Sequence, residues 1–203
     1  AEAVIAMRNP ENVVIRRGDY RAPGFLVQRV ELLFDLEPTL TRVESTLSVC
    51  RNSAAGASDG LVLFGDGLTL ESLTLNHRLL SPDDYVRSSD RITLHAGVLT
   101  REGETAILTV VTTFNPSANL ALEGLYVTNG TFCTQCEAEG FRRITFYPDR
   151  PDVMPRFTCT IEADRARFPQ LLSNGNLVAS GEAEDGRHWA RWEDPYAKPC
   201  YLF

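Results

Sequence analysis

The sequence predicts an all-β protein, built as an antiparallel β-sandwich or a curved, saddle-like sheet with little helix. Three observations lead to this prediction. Apolar residues recur at every second position in most patterned segments, which is the period of a strand with one buried face. Short apolar runs are bounded by Gly, Pro, Asn and Asp, which end strands and form turns. Many short strands at this spacing are typical of sandwiches and curved antiparallel sheets.

The clearest strand pair is predicted near the start of the chain. Apolar residues occupy every second position from Val30 to Leu36, so one face of this segment is apolar. Glu37-Pro-Thr39 predicts a turn, and the alternation resumes from Val43 to Val49 on a return strand. Four further segments between turn residues are strand candidates: 61–64, 68–75, 91–94 and 106–114.

Three dipeptides predict tight hairpin turns in the second half of the chain. Asn and Asp tolerate a positive φ and Gly adopts it freely, which is what a two-residue hairpin turn requires. The pairs are Asn129-Gly130, Asn174-Gly175 and Asp185-Gly186. Helical turns are predicted only at 82–85 and 164–169, and a loop at 51–60.

Composition narrows the class of protein. A chain of 203 residues is long enough to bury one sizeable core, and 43% apolar with 23% charged residues is ordinary for a soluble protein. A net charge of −7 argues against a nucleic-acid partner, because phosphate binding needs a basic surface. No apolar run approaches the roughly 18 residues of a membrane span. Five cysteines indicate reduced thiols and a cytoplasmic location rather than a disulfide framework.

Metal-ligand patterns are weak in this sequence. The three histidines, at positions 77, 95 and 188, do not form the H-E-x-x-H pair that zinc peptidases use. Cys133-x-x-Cys136 has no second cysteine pair, and its two residues point to opposite faces of a strand. Packing thiols are therefore favoured over a metal or redox centre. We predict no catalytic residue and no metal ligand in these 203 residues.

The most distinctive segment runs from Cys133 to Arg142 and contains almost no aliphatic side chain. Gln135 and Glu137 lie two residues apart, so in a strand both would leave the same face about 6.6 to 6.8 Å apart. A carboxylate and an amide oxygen aimed at one volume could receive a small cation such as a substrate ammonium group. From these residues alone, solvated strand side chains are the simpler interpretation. Glu139 is expected to pair with Arg142 or its neighbour Arg143.

Strand faces and structural roles can be predicted around this run. After the Asn-Gly turn, positions 131, 133, 135 and 137 would share one face, while 132, 134 and 136 would face the core. Glu123 could supply a second acidic contact, but Gly124 after it suggests a bend, so a turn role is favoured. His188 is interpreted as a hydrogen-bonded structural residue beside two packed tryptophans, Trp189 and Trp192. A salt-bridged corner is predicted around Pro151, formed by Asp149, Arg150 and Asp152.

Several of these segments together resemble a known family. The resemblance is nearly continuous from Ala121 to Phe203 and weak between Arg51 and Glu104. It is carried by the following stretches: Asp19-Tyr-Arg-Ala-Pro23, Ala121-Leu-Glu-Gly-Leu-Tyr126, the run from Cys133 to Arg142, Asp149-Arg-Pro-Asp-Val153, Leu171-Leu-Ser-Asn-Gly-Asn176, Gly186-Arg-His-Trp189 and Lys198-Pro-Cys-Tyr-Leu-Phe203. The chain resembles the N-terminal domain of bacterial-type aminopeptidase N (alanyl aminopeptidase), a gluzincin zinc aminopeptidase.

This resemblance implies a function and a domain arrangement. Residues 1–203 would form a single N-terminal β domain of a larger enzyme, with the catalytic domain and its zinc expected after residue 203. Gln135 and Glu137 would bind the free α-amino group of a peptide substrate. The fragment alone would hold no cofactor and be inactive, and Tyr201-Leu-Phe203 would begin an apolar strand. The alternative is an autonomous β-sandwich module that binds a protein or sugar without catalysis.

Overall fold

The chain folds almost entirely into strands and turns, which confirms the all-β prediction. The computed structural model describes residues 16–56, 60–99 and 104–203. Within these ranges there is no α-helix, and four short 3-10 helices lie at Arg17–Asp19, Pro116–Ala118, Phe141–Arg143 and Cys200–Leu202. The strands are β1 (Phe25–Asp35), β2 (Thr41–Arg51), β3 (Gly60–Phe64), β4 (Thr69–Leu75), β5 (Arg78–Leu79), β6 (Tyr85–Arg87), β7 (Arg91–His95), β8 (Thr105–Phe114), β9 (Gly124–Thr128), β10 (Thr131–Gln135), β11 (Arg156–Asp164), β12 (Asn176–Glu182) and β13 (Arg187–Glu193).

One large sheet organises the described residues. Its eight strands lie in the order β12-β13-β11-β1-β2-β8-β4-β5, while β3-β7-β6 form a three-stranded sheet and β9-β10 a hairpin. The predicted antiparallel arrangement holds for every strand pair except β1 and β11, which run parallel with Leu32 opposite Cys159. Parallel neighbours need a long connection rather than a tight turn, and here the chain passes through both smaller sheets before it returns.

The predicted pair at the start of the chain is confirmed. Val30 of β1 lies opposite Leu47 of β2, and both are fully buried because the alternation places them on the same inner face. The turn between the strands is closed by the Thr41 hydroxyl, which donates a hydrogen bond of 2.8 Å to the carbonyl oxygen of Glu37. Leu33, on the opposite face of β1, remains 39% exposed.

A single hydrophobic core joins the large sheet to the elements that cover it. It contains inward residues of β1, β2, β4, β8 and β11 together with residues of β3 and β7. The segment 141–147 adds Phe141, Ile144 and Tyr147, all with no exposed surface. The ring of Phe141 meets that of Tyr147 edge-on, with 4.9 Å between centroids. The segment that follows the distinctive run is therefore anchored in the core.

Two of the three predicted hairpin turns are confirmed. Asn129 and Gly130 have φ angles of 48° and 76°, as a type I′ turn requires, and they join β9 to β10. Asp185 and Gly186, with φ angles of 55° and 73°, lie in the turn between β12 and β13. The two predicted helical turns are also present as hydrogen-bonded turns. The Asp84 amide closes the turn predicted at 82–85, and the Phe168 amide closes the turn predicted at 164–169.

The hairpin predicted at Asn174-Gly175 is wrong. β12 follows this turn, but it pairs with β13 and not with the preceding strand β11. Gly175 adopts a φ of 88° because the chain passes close to β13, where a Cβ atom would lie 2.2 Å from the Glu193 carbonyl oxygen. Gly175 therefore allows two backbone segments to approach closely. It does not form a hairpin turn between two adjacent strands.

The end of the described chain also differs from the prediction. Tyr201-Leu-Phe203 does not begin a strand, because Cys200–Leu202 form a 3-10 helix that follows Pro199. The Phe203 ring packs 5.5 Å from that of Phe141 and 5.8 Å from that of Phe157. The predicted loop at 51–60 is shorter than expected, because Arg51 ends β2 and Gly60 begins β3; residues 52–56 form a turn, and residues 57–59 lie outside the described ranges. No helix in the described residues is long and apolar enough to cross a bilayer.

The five cysteines are free thiols in two different environments. Cys136, Cys159 and Cys200 are buried, whereas Cys50 and Cys133 are half-buried. Burial raises the pKa of Cys136 and of Cys159 to about 12 in each case, because the thiolate would lose its hydration. Cys136 thus packs in the core as predicted, whereas Thr134, predicted on the same face, is exposed and Cys133 is half-buried.

Truncation of an inward leucine should destabilise the chain far more than truncation of an outward one. We expect Leu47→Ala to lower the free energy of unfolding by about 2–5 kcal/mol, since it removes fully buried methyl groups and leaves a cavity. The matched control Leu33→Ala should cost less than about 1 kcal/mol. Urea unfolding followed by tryptophan fluorescence measures both. Equal losses would contradict the assignment of the inner face.

The buried thiols predict a loss of stability at alkaline pH. In the unfolded chain a thiol ionises near pH ~8.5, whereas in the folded chain Cys136 and Cys159 stay protonated until about pH 12. Their contribution is therefore fully present below pH ~8.5 and is lost as the pH rises toward about 12. Urea unfolding at pH 8, 9 and 10 should show the decline. The variant Cys136→Ala/Cys159→Ala should show a shallower decline, and an identical slope would contradict this account.

Candidate functional site

The distinctive run forms the end of a hairpin and the turn that follows it. β10 ends at Gln135, and residues 137–140 form a turn closed by a hydrogen bond of 2.9 Å from the Gly140 amide to the Cys136 carbonyl oxygen. The prediction that Glu137 shares a strand face with Gln135 is therefore wrong. The peptide bond between Glu137 and Ala138 is cis. Both side chains are nevertheless exposed at the same end of the hairpin.

Two glycines allow the hairpin to fold against this turn. A Cβ atom on Gly140 would lie 2.5 Å from the Gln135 carbonyl oxygen and 2.9 Å from the Gly124 amide nitrogen. Gly124 has a φ of 73°, and a Cβ atom there would lie 2.7 Å from the Cβ of Arg143. Real side chains do not tolerate such distances, so the start of β9 and the turn can meet only through glycine. The predicted bend at Glu123-Gly124 is confirmed.

Arg142 fixes the far side of the turn. Its Nη1 lies 3.2 Å from the Glu139 carboxylate, which confirms the expected partner of Glu139. Its Nε donates a hydrogen bond of 2.9 Å to Asp149, and its guanidinium lies 4.7 Å from the centre of the Phe64 ring. Arg143 makes a separate ion pair of 2.6 Å with Asp66. The turn is thus tied to the loop after β3 as well as to Asp149.

Asp149 is the buried acceptor of this network. Only 2% of its side chain is exposed, and one carboxylate oxygen accepts both the Nε and the backbone amide of Arg142, the latter at 3.2 Å. The other oxygen accepts a hydrogen bond of 3.0 Å from the Cys200 thiol. Sequence reasoning missed this link, because no local pattern relates two residues that lie 51 positions apart.

The predicted corner around Pro151 is confirmed in part. Arg150 and Asp152 form an ion pair of 2.6 Å, and the Arg150 guanidinium holds the pKa of the Asp152 carboxyl below its usual value. The Tyr20 hydroxyl donates to Asp152 at 3.1 Å, so the corner also holds the start of the described chain. Asp149 differs from the prediction, because it turns inward to Arg142 instead of joining this exposed pair.

Gln135 and Glu137 stand apart from the ion pairs around them. Within the described ranges, neither side chain makes a hydrogen bond or ion pair with another residue, whereas the nearby Glu139 carboxylate is paired with Arg142. The structure thus brings one amide and one exposed carboxylate to the end of the hairpin, next to a turn whose other charges are neutralised. Chemically, such a pair can accept hydrogen bonds from a cation.

Two cavities flank the site without including these two residues. One, of 340 Å³, is lined by residues 131–134 of β10, by the segment 168–174 and by the chain end at Phe203. The other, of 480 Å³, is lined by Glu139, Arg142, Asp149 and residues of β3. Gln135 and Glu137 lie on the open surface. A ligand bound by these two residues would therefore not be enclosed by either cavity.

The remaining candidates have structural roles. The His188 ring nitrogen Nε2 lies 2.8 Å from the Phe168 carbonyl oxygen, as expected of a hydrogen-bonded structural histidine. The Trp192 indole donates a hydrogen bond of 3.1 Å to the Leu171 carbonyl oxygen and packs against the core. In the described residues, no three His, Cys, Asp or Glu side chains group in a way that could hold a metal ion.

Comparison with characterised proteins gives consistent relatives. Aminopeptidase N of Caulobacter vibrioides is 46% identical over 197 residues, which cover 97% of this chain and 22% of that protein. Aminopeptidase N of Escherichia coli is 46% identical over 187 residues, which cover 92% of this chain and 20% of that protein. The chain therefore spans about a fifth of the length of these curated relatives.

Solved structures share the fold. Aminopeptidase A of Legionella pneumophila, crystallised with aspartic acid, matches 92% of this chain and 21% of its own with a TM-score of 0.84 and 33% identity. The M1 zinc metallopeptidase of Deinococcus radiodurans matches 89% of this chain and 41% of its own with a TM-score of 0.74. At 18% identity the latter supports the fold alone.

The family comparison agrees with the sequence resemblance and the architecture. The model of the Peptidase M1 N-terminal domain matches residues 85–202, which include the hairpin β9-β10, the turn at 137–140 and Asp149. This match extends over more than half of the chain. The chain belongs to the Peptidase M1 N-terminal domain family.

Proposed function

We propose that residues 1–203 form the N-terminal domain of a larger cytoplasmic zinc aminopeptidase and bind the free α-amino group of its peptide substrates. The observation that carries this proposal is the exposed Glu137 carboxylate beside Gln135, in a turn held by a buried ion pair. The relatives named aminopeptidase N, at 46% identity, support the class of enzyme.

The chemistry of an amino terminus explains the need for these two residues. A peptide α-amine has a pKa of about 7.7–8.0 and is therefore mostly protonated at neutral pH. Glu137 supplies a full negative charge to the ammonium group, and the Gln135 amide oxygen accepts a further hydrogen bond. An internal peptide amide carries no such charge, so this interaction favours the end of a substrate over its interior.

The metal belongs to another part of the proposed enzyme. The described residues of this chain do not fit a zinc site, since His188 is held by a backbone carbonyl and no suitable ligand group forms. We therefore assign zinc, which activates a water molecule in such peptidases, to the catalytic domain expected after residue 203. Gln135 and Glu137 would form one wall of the active site when that domain is present.

The comparisons favour this proposal over an autonomous protein- or sugar-binding module. The relatives are named as aminopeptidases and are much longer than this chain. A module that acts without catalysis would use the exposed end of the hairpin as an ordinary solvated surface. An H-E-x-x-H motif in the sequence beyond residue 203 would decide between the two, because only the enzyme requires it.

Loss of the Glu137 charge should weaken binding of substrates with a free amine. In the longer enzyme, we expect Glu137→Gln to raise the KM for an unblocked aminoacyl anilide by about tenfold or more, because a charged hydrogen-bond partner is lost. The matched control is Glu184→Gln, which neutralises an exposed carboxylate between β12 and β13 and should leave the KM unchanged. Steady-state kinetics measure both, and an unchanged KM in Glu137→Gln would remove this residue from the site.

An amine-free ligand separates charge recognition from general damage. A competitive inhibitor in which hydrogen replaces the α-amino group should bind the parent enzyme and Glu137→Gln with the same inhibition constant. The corresponding amine-bearing inhibitor should bind the variant about tenfold or more weakly. Inhibition constants from rate measurements test this. Equal weakening of both inhibitors would show that the substitution disturbs the site rather than amine recognition.

A further inference from the structure

We infer that Asp149 is a positioning residue, which holds the amine-binding turn at 137–140 against the segment that contains Cys200. This inference rests on the proposed function, because it concerns how Gln135 and Glu137 are presented to a substrate. Asp149 touches neither of them. It acts through Arg142 on one side and through Cys200 on the other.

The two carboxylate oxygens of Asp149 bind two separate parts of the chain. Oδ2 accepts the backbone amide and the Nε of Arg142, at 3.2 and 2.9 Å. Oδ1 accepts the Cys200 thiol at 3.0 Å. Because the side chain is only 2% exposed, water cannot readily replace either partner. A shift of one partner therefore disturbs the other.

Arg142 transmits the position of Asp149 to the turn. Its Nη1 is 3.2 Å from Glu139, which lies two residues after Glu137. Its own carbonyl oxygen accepts a hydrogen bond of 2.9 Å from the amide of Asp66, and the Phe64 ring lies beneath its guanidinium. Arg142 is thus held by its backbone and its side chain at once. The charge of Asp149 balances that of Arg142 where both are shielded from solvent.

Several contacts hold the segment from Lys198 to Phe203. Burial raises the pKa of the Cys200 thiol, and the Asp149 carboxylate raises it further, so the thiol stays a donor over the ordinary pH range. The Lys198 ammonium group forms an ion pair of 2.9 Å with Asp194. The ring of Phe203 packs on Phe141, the first residue after the turn. A second contact thus joins the turn to the chain end.

The kinetics of the longer enzyme distinguish positioning from simple stabilisation. Asp149→Asn removes the charge and replaces one oxygen by an NH2 donor, so the side chain can no longer accept from Arg142 and from the Cys200 thiol at once, and the turn should lose its fixed position. We expect the KM for an unblocked aminoacyl anilide to rise about tenfold while kcat changes less than about twofold. Leu47→Ala is the control, because it destabilises the fold at β2 without removing a hydrogen bond or ion pair of the turn. Its KM should equal that of the parent enzyme.

The thiol provides a second test in case Asp149→Asn does not fold. Cys200→Ala removes the donor to Oδ1 and should raise the KM about threefold, whereas Cys200→Ser keeps a donor and should restore the parent value within about 1.5-fold. A KM for Cys200→Ala equal to that of Cys200→Ser would overturn the inference. If the KM of Asp149→Asn equals that of Leu47→Ala, the inference is overturned as well.

A double variant separates this inference from the function on which it rests. If Asp149 acts through Glu137, then Glu137→Gln/Asp149→Asn should have the same KM as Glu137→Gln alone. Additive effects would show that Asp149 acts elsewhere and would overturn the inference, while the proposed function stands. If Glu137→Gln leaves the KM unchanged, the proposed function fails first, and the inference fails with it.

Discussion

The parallel pairing of β1 with β11 is the constraint on which the rest of the architecture depends. It places the hairpin β12-β13 on one side of β1, while β2 and β8 continue the sheet on the other side. Between β8 and β11 the chain must then pass from one side of β1 to the other, because these two strands flank the pair β1-β2 in the sheet. This connecting segment carries the hairpin β9-β10 and the turn at 137–140. The candidate site thus lies on a long connection supported by a rigid sheet.

The buried charge of Asp149 restricts how the connecting segment that carries the turn at 137–140 can pack. An aspartate with 2% of its side chain exposed is tolerated because Arg142 compensates its charge and Cys200 satisfies its second oxygen. An alternative packing that separated the two residues would leave a charge unpaired in a buried position, so the pair favours one arrangement of the segment. The turn that exposes Glu137 is thereby held in place.

Patterns among neighbouring residues predicted much of the fold. The features that these patterns did not predict depend on contacts between residues far apart in the sequence. The alternation from Val30 to Leu36 and the Asn129-Gly130 turn depend on neighbouring residues alone, and the structure confirms both. The parallel register depends on pairs such as Leu32 and Cys159, which no local pattern relates. The turn after Gln135 replaces a predicted strand because Gly140 must meet Gly124 across the hairpin. The role of Gln135 and Glu137 in amine binding stays a prediction.

The two edges of the large sheet differ in how they meet solvent. β5 is two residues long and carries the Arg78–Asp84 ion pair, so it offers little backbone to another strand. β12 is seven residues long, has neither lysine nor proline, and leaves Leu177 and Val178 about half exposed, at 53% and 49%. A break in register between Leu177 and Ala179 interrupts its ladder and limits the length that a second strand could match. β12 is therefore the longer outer edge of the sheet, and the irregularity shortens the ladder that an added strand could form with it.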